Sequence, residues 1–261
     1  MQRSSPGRTV GFVASVAVVA SILVATSAVA LRERQQFNAV LDLRKKVLGV
    51  AGLMPAKPAL TTIEITERFE TNIVPVVVNL ATGLPDDTID PYSFDQRAAT
   101  VDPATSRPAP ANAVRLTRLP IHAQVFHVVE DGALTAVILP IVGPGLWSTM
   151  YGFIALSPDL RTITGLTFYE HGETAGLGGE IDNPRWQGLW QGREAFDDSW
   201  TPRITVIKGA AGPPEEDPYS VDGLAGATIT GRGVTDTIHF WLGPDGFGPY
   251  LAYYRREAGI S

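Results

Sequence analysis

With 261 residues, 44% hydrophobic and 18% charged, the chain is long enough for one well-packed core and a smaller lobe, and too apolar to be disordered. A formal net charge of −6 leaves no basic footprint and argues against nucleic acid as a partner. The lack of cysteine excludes disulfides, thiolate zinc sites, a cysteine nucleophile and all-Cys iron–sulfur clusters, so any redox chemistry calls for a non-thiol cofactor.

Arg8 and Arg32 bracket an uncharged run, Thr9–Leu31, rich in Val, Ala, Ile and Leu. It exceeds the roughly 20 residues a helix needs to cross a bilayer. It also outlasts the h-region of a cleavable signal peptide, although Ala28-Val29-Ala30 resembles a cleavage site. Residues 9–31 are therefore read as a retained anchor behind a short N-terminus, 1–8. Residues 32–53 follow as an amphipathic connecting helix. Phe37, Val40, Leu41, Val47 and Leu48 share one face, Arg44, Lys45 and Lys46 lie off it, and Gly49 and Gly52 end it. Positive charges beside the anchor slightly favour a cytoplasmic C-terminal domain, by a rule that weakens when one span precedes a large folded domain.

Within 54–142, Ile63–Glu70 reads as a short helix or strand and Ile73–Leu80 as a strand. Pro85, Pro91, Pro103, Pro108 and Pro110 make 81–113 a long irregular excursion, either mobile or partner-facing. Strands follow at Ala123–Val129 and Leu134–Ile141 about the turn Glu130-Asp131-Gly132, then at Met150–Leu156 and Ile163–Tyr169 about Ser157-Pro158-Asp159. Trp186–Phe196 reads as a helix behind Asn183-Pro184, and Arg203–Lys208 as a strand. Val234, Ile238, Trp241 and Leu242 recur at helical spacing and predict a helix beginning near Thr230 or Gly231. Strands without regular βαβ alternation give an α+β domain, a mainly antiparallel sheet with short helices, preceded by one N-terminal transmembrane helix.

Four Gly-rich clusters punctuate the second half: Gly143–Trp147, His171–Glu180, Asp222–Thr230 and Gly246–Leu251. Each alone reads as a turn, with Trp147 as core and Thr230 as an ordinary N-cap. In the third, however, Thr228 offers a hydroxyl that can be joined to phosphate. Gly226 and Ala227 leave the backbone approachable, and a helix start just beyond favours an anion.

Together and in this order, the clusters closely resemble the C subunit of the sodium-translocating NADH:quinone reductase of bacterial inner membranes, a membrane-anchored flavoprotein. The resemblance runs through the anchor, Lys46 and Gly52, Gly143–Leu156, Tyr169–Trp186, Lys208-Gly209 and Asp222–Leu251. It implies FMN joined through its phosphate to Thr228, with Thr230 as the fallback acceptor. The motif reads Ala225-Gly226-Ala227-Thr228, where Ala225 departs from the family's usual Ser or Thr.

The same resemblance implies an FMN-binding region over 143–251 and a tail over 252–261. The ring pocket is assigned to Glu173, Thr174, Leu177 and Gly178, with Trp147 for stacking and Lys208 for a positive charge favouring a reduced, anionic flavin. His171 is a local structural donor or a redox partner. Asp222 either holds magnesium while the flavin is attached or simply shapes the turn, and no resident metal is expected. A separate flavin transferase attaches the cofactor, since threonine is a poor nucleophile unaided. That enzyme acts outside the cytoplasmic membrane, which implies a single-pass inner-membrane protein with a periplasmic domain. Electrons from NADH would pass through this FMN toward ubiquinone, with Na+ export belonging to the complex and no catalysis by this chain alone. One rival is the equivalent FMN-carrying subunit of the Rnf ferredoxin:NAD complex; Gly145-Leu146-Trp147, the Gly-Phe-Gly-Pro ending and the Pro-rich insertion favour the quinone reductase. The other is a non-redox membrane-anchored adaptor.

Overall fold

The computed structural model describes residues 6–55 and 59–260, so the expectation for residues 1–5 lies outside the described residues. The chain divides into two units, Met1–Arg44 and Lys45–Ser261. The first is a stretch of helix α1 (Pro6–Val50), unbroken from the apolar run into the connecting segment. Its portion Gly7–Arg32, 26 residues, is long and apolar enough to cross a membrane.

The second unit starts with the last turn of α1, where Val47 and Leu48 are fully buried. Gly52, at φ +75°, lets the chain turn out of the helix. The Leu53 N–H then donates to the Leu48 carbonyl and the Gly52 N–H to that of Gly49, the paired bonds of a Schellman end. Helix α2 (Thr62–Asn72) is started by a reciprocal cap between Thr61 and Glu64, and buries Ile65 and Phe69.

The core is a five-stranded antiparallel sheet in the order β1-β4-β5-β6-β7. The strands are β1 (Ile73–Asn79), β4 (His122–Glu130), β5 (Ala133–Pro144), β6 (Thr149–Leu156) and β7 (Ile163–Glu170). Strands β4 and β5 join through Asp131 and Gly132, both at positive φ, the turn whose twist matches that of the strands it links. Alternation along the strands sends neighbours to opposite faces. Val125, Leu139 and Ile154 share a buried cluster with Val234, Ile238 and Trp241 of α5 (Thr228–Leu242). Phe126 and Phe153, one residue away, instead join Phe69 in an edge-to-face ladder with centroids 6.4 and 6.0 Å apart.

Helix α5 lies close on β5. A methyl at Gly233 would overlap the Pro144 carbonyl oxygen, one at Gly143 would overlap the Thr237 hydroxyl, and the Trp241 indole N–H donates to the Val142 carbonyl at 2.7 Å. Helix α6 (Gly248–Ala258) follows and meets β4 where the Tyr250 hydroxyl lies 2.5 Å from His127 Nε2.

The α+β fold with an antiparallel sheet matches the sequence expectation, and four elements differ from it in detail. The Pro-rich stretch 81–113 contains a short helix, α3 (Gln96–Val101), capped by the Asp95 carboxylate, and strand β2 (Ser106–Pro108), which pairs with β3 (Arg118–Pro120). The helix read over Trp186–Phe196 is confined to α4 (Pro184–Gly188). Beyond it the Arg193 guanidinium donates to the carbonyls of Leu189, Gly212 and Asp217, tying the chain to a distant loop instead of a next helical turn. The strand read over Arg203–Lys208 shrinks to β8 (Thr205–Val206), paired in parallel with β9 (Ser220–Val221). Helix α6 runs through residues 252–258 of the expected tail.

Candidate functional site

Three of the Gly-rich clusters meet at one end of α5. The first is the tip of the β5–β6 hairpin, Gly145-Leu146-Trp147-Ser148, closed by a 2.7 Å bond from the Gly145 N–H to the Ser148 carbonyl. The second is the segment after β7, which passes through Glu173 into a 3-10 turn over Gly178–Asp182. The third leads through Asp222 and Gly226 into α5.

Helix α5 begins at Thr228, earlier than the Thr230 or Gly231 of the sequence reading. Gly226 at φ +70° turns the chain, Ala227 is the N-cap residue, and the first helical bond runs from the Gly231 N–H to the Ala227 carbonyl. Alanine has no side-chain acceptor and makes no cap bond, and the first turn carries no acidic residue. The opening N–H groups of α5 therefore have no partner within the helix and face where an anion is favoured.

The two candidate threonines are separated sharply. Thr228 is exposed. Thr230 is fully buried, and its hydroxyl donates to Glu173 Oε2 at 2.5 Å, so it is neither an N-cap nor an accessible acceptor.

Glu173 is buried at the junction. Its Oε1 accepts from the Trp147 N–H at 2.9 Å and the Ser148 N–H at 3.3 Å, while Oε2 accepts from the Leu146 N–H at 3.0 Å and from Thr230. Burial raises the Glu173 carboxyl, but the Thr230 hydroxyl and the Trp147, Leu146 and Ser148 N–H groups together outweigh it and hold it below the ordinary carboxylate value. Glycine at 145 and 178 is required by this packing, because a methyl at either position would crowd the carboxylate. Nearby, the Ser148 hydroxyl accepts from the Gly172 N–H at 2.5 Å, and His171 Nε2 lies 3.4 Å from Asp182 Oδ2.

The three converging segments each expose apolar side chains. Trp147 is 72% and Ile229 59% exposed, and Leu146 and Leu177 are nearly half exposed. A Cβ at Gly226 would lie 3.0 Å from Leu177 Cδ2, so Leu177 packs directly on the turn preceding Thr228. Thr174 is exposed, and its carbonyl accepts from the Leu177 and Gly179 N–H groups, while Gly178 is buried beneath.

Asp222 positions the loops around it. Its Oδ1 accepts from the Ala211 N–H at 2.8 Å, and its carbonyl accepts from the Trp186 indole at 3.0 Å. Beside it the Gly223 N–H bonds the Gly209 carbonyl, which pins the loop bearing the exposed Lys208. Sequence reasoning did not assign Leu146, Ser148, Trp186 or Ile229 to this place. Only Leu146 and Ser148 carried a signal, as neighbours of Trp147 at the hairpin tip.

The arrangement offers a reachable hydroxyl at the positive end of a helix beside an apolar rim, which suits a planar aromatic group carried on a phosphate.

A family model described as an FMN-binding domain matches residues 145–243. The C subunit of the Na(+)-translocating NADH-quinone reductase of Pseudomonas aeruginosa is 42% identical over 257 residues, covering 97% of this chain and 98% of that protein. Its counterpart in Vibrio vulnificus is 42% identical over 258 residues, covering 97% of each. The crystal structure of Shewanella oneidensis NqrC superposes with a TM-score of 0.76 at 35% identity, covering 82% of this chain and 97% of that one. That of the corresponding Na(+)-translocating NADH-quinone reductase protein from Parabacteroides distasonis gives 0.65 at 25% identity, covering 85% and 96%.

Proposed function

The chain belongs to the family of C subunits of the Na(+)-translocating NADH-quinone reductase, an oxidoreductase complex, and on that footing we propose that it carries FMN covalently on Thr228 and relays electrons between other subunits. The observation that carries this reading is the exposed hydroxyl of Thr228 at the uncapped start of α5, within the matched FMN-binding region.

The residues present fit the group. Thr228 supplies the attachment oxygen, and the opening N–H groups of α5 favour the charge of a phosphate diester. Leu177 and Trp147 supply apolar surface for the ring, Thr174 an exposed hydroxyl, and Gly178 room beneath them. Small residues at Ala225, Gly226 and Ala227 leave Thr228 open to a modifying enzyme. Lys208 adds a positive charge on the neighbouring loop, and Asp222 holds that loop in place. FMN, when bound, supplies reversible electron transfer, while the chain contributes position and environment.

The apolar stretch Gly7–Arg32 supports anchoring in the membrane. In this reading the membrane is the bacterial inner membrane, and the domain lies on its periplasmic side, where the family's flavin transferase works. Transfer from NADH to ubiquinone and the coupling to Na+ export are properties of the assembled complex. The test is peptide mass spectrometry of the protein purified from its native membrane, with in-gel fluorescence of the denatured band. An FMN-sized addition on the Thr228 peptide is the expected result; an unmodified peptide without fluorescence overturns the reading in favour of a non-redox adaptor.

A further inference from the structure

A carboxylate has about four acceptor positions, and all of those on Glu173 are in use. Three are taken by consecutive backbone N–H groups of Leu146, Trp147 and Ser148, and the fourth by the Thr230 hydroxyl on α5. The side chain is only 8% exposed and sits between Gly145 and Gly178, where any Cβ would displace it. Glu173 therefore has no lone pair to offer a ring lying outside, although the sequence places it in the ring pocket. What it joins is two elements remote in the chain: the hairpin tip that displays Leu146 and Trp147, and the helix whose first residue is Thr228.

We propose that Glu173 is a positioning residue that locks the Leu146–Trp147 tip to α5, fixing the apolar wall relative to the residue that bears the flavin. This rests on the reading of Thr228 as the flavin-bearing residue and extends it. Hydrogen bonds from a carboxylate to backbone N–H groups are charge-assisted, and the buried site strengthens them, which suits a rigid link between the hairpin tip and the start of α5, added to the packing of α5 on β5. Thr230 is the helix end of the link; it is the third residue of α5 with its side chain buried, while Thr228 is exposed.

The test uses the full-length protein made alongside the flavin transferase, in wild-type, Thr230→Val, Thr230→Ser, Trp147→Ala and Thr230→Val/Trp147→Ala forms. Thr230→Val removes the helix end of the link and leaves the three backbone bonds to Glu173. The expected result is a flavin still attached to Thr228 but more accessible to iodide quenching by several-fold, with its midpoint potential shifted. Thr230→Ser restores both, and in the Trp147→Ala background Thr230→Val changes neither. Unchanged quenching and potential in Thr230→Val, or equal effects of that substitution with and without Trp147, overturn the proposal.

Glu173→Gln places an amide against three N–H donors and is expected to show the larger effect. If it does not fold, the Thr230 series decides alone. Amide exchange at Leu146–Ser148, expected to quicken on the order of tenfold in Thr230→Val, reads the link without any flavin. Wild-type protein without FMN on Thr228 sinks the functional reading, while unaltered exchange sinks the link.

Discussion

The Thr230 hydroxyl donates to Glu173 Oε2 across 2.5 Å, joining residues 57 positions apart in a spot closed to solvent. Two residues earlier in the same helix, Thr228 faces outward. The pair predicts opposite phenotypes for the same substitution. Thr228→Ala is expected to abolish the FMN-sized mass addition and leave thermal stability within about 0.5 kcal/mol of wild type. Thr230→Ala is expected to keep the addition and cost about 1–3 kcal/mol, because it leaves a buried acceptor short of a donor. Mass spectrometry and thermal unfolding of both variants check this.

Acid should loosen the same junction. The Glu173 carboxyl is held below its ordinary value in the folded state, so its contribution is fully present above the unfolded value, about 4.3. It is lost as pH falls through the lower folded value. A thermal-unfolding series from pH 7 to pH 3 is expected to show a slope at the acid end that is shallower in Glu173→Gln, the remainder coming from other lowered carboxyls such as Asp159.

His127 should give a second, separate pH response. Burial lowers its imidazole, which lies 2.5 Å from the Tyr250 hydroxyl and edge-on to Tyr254. In the unfolded chain it takes up a proton near pH 6.5, whereas the folded protein resists until lower pH. Stability is thus intact above about pH 6.5 and falls as the pH drops toward the folded value. Amide exchange in α6, corrected for intrinsic rates, should be faster at pH 5.5 than at pH 7.5. His127→Gln should flatten the difference.

Gly233 tests how α5 is seated. With the Pro144 carbonyl oxygen where its Cβ would be, Gly233→Ala forces the helix off β5 and is expected to cost about 1–3 kcal/mol. Gly7→Ala, in the helical run where a Cβ meets nothing, is expected to be neutral or slightly stabilising. Unfolding of the two variants side by side gives the comparison.

The sheet was legible because Val, Ile and Phe alternate in runs bounded by turn residues, and Asp131-Gly132 announces its own hairpin. The long apolar helical stretch Gly7–Arg32 was legible from its length and composition. The site was readable as a set of clusters but not as geometry. Thr230 resembled an N-cap because threonine favours that position, yet its partner is a glutamate on a different segment. The Trp186–Phe196 pattern failed for a similar reason, since Arg193 bonds carbonyls at Gly212 and Asp217 that no local spacing reveals. Helix α3 was hidden by surrounding prolines, although Asp95 is an ordinary cap in front of it.

Thr228 opens α5 and does not sit on the loop before it, and within two turns that helix is buried against β5 through Val234, Ile238 and Trp241. Threonine is stiff at χ1, so the side chain adds little play of its own. A group carried there can pivot about a handful of single bonds but cannot be ferried by a swinging loop. With FMN on Thr228, as proposed, its distance to an electron acceptor would be set by how the whole domain docks, and the rate of transfer would become a report on assembly.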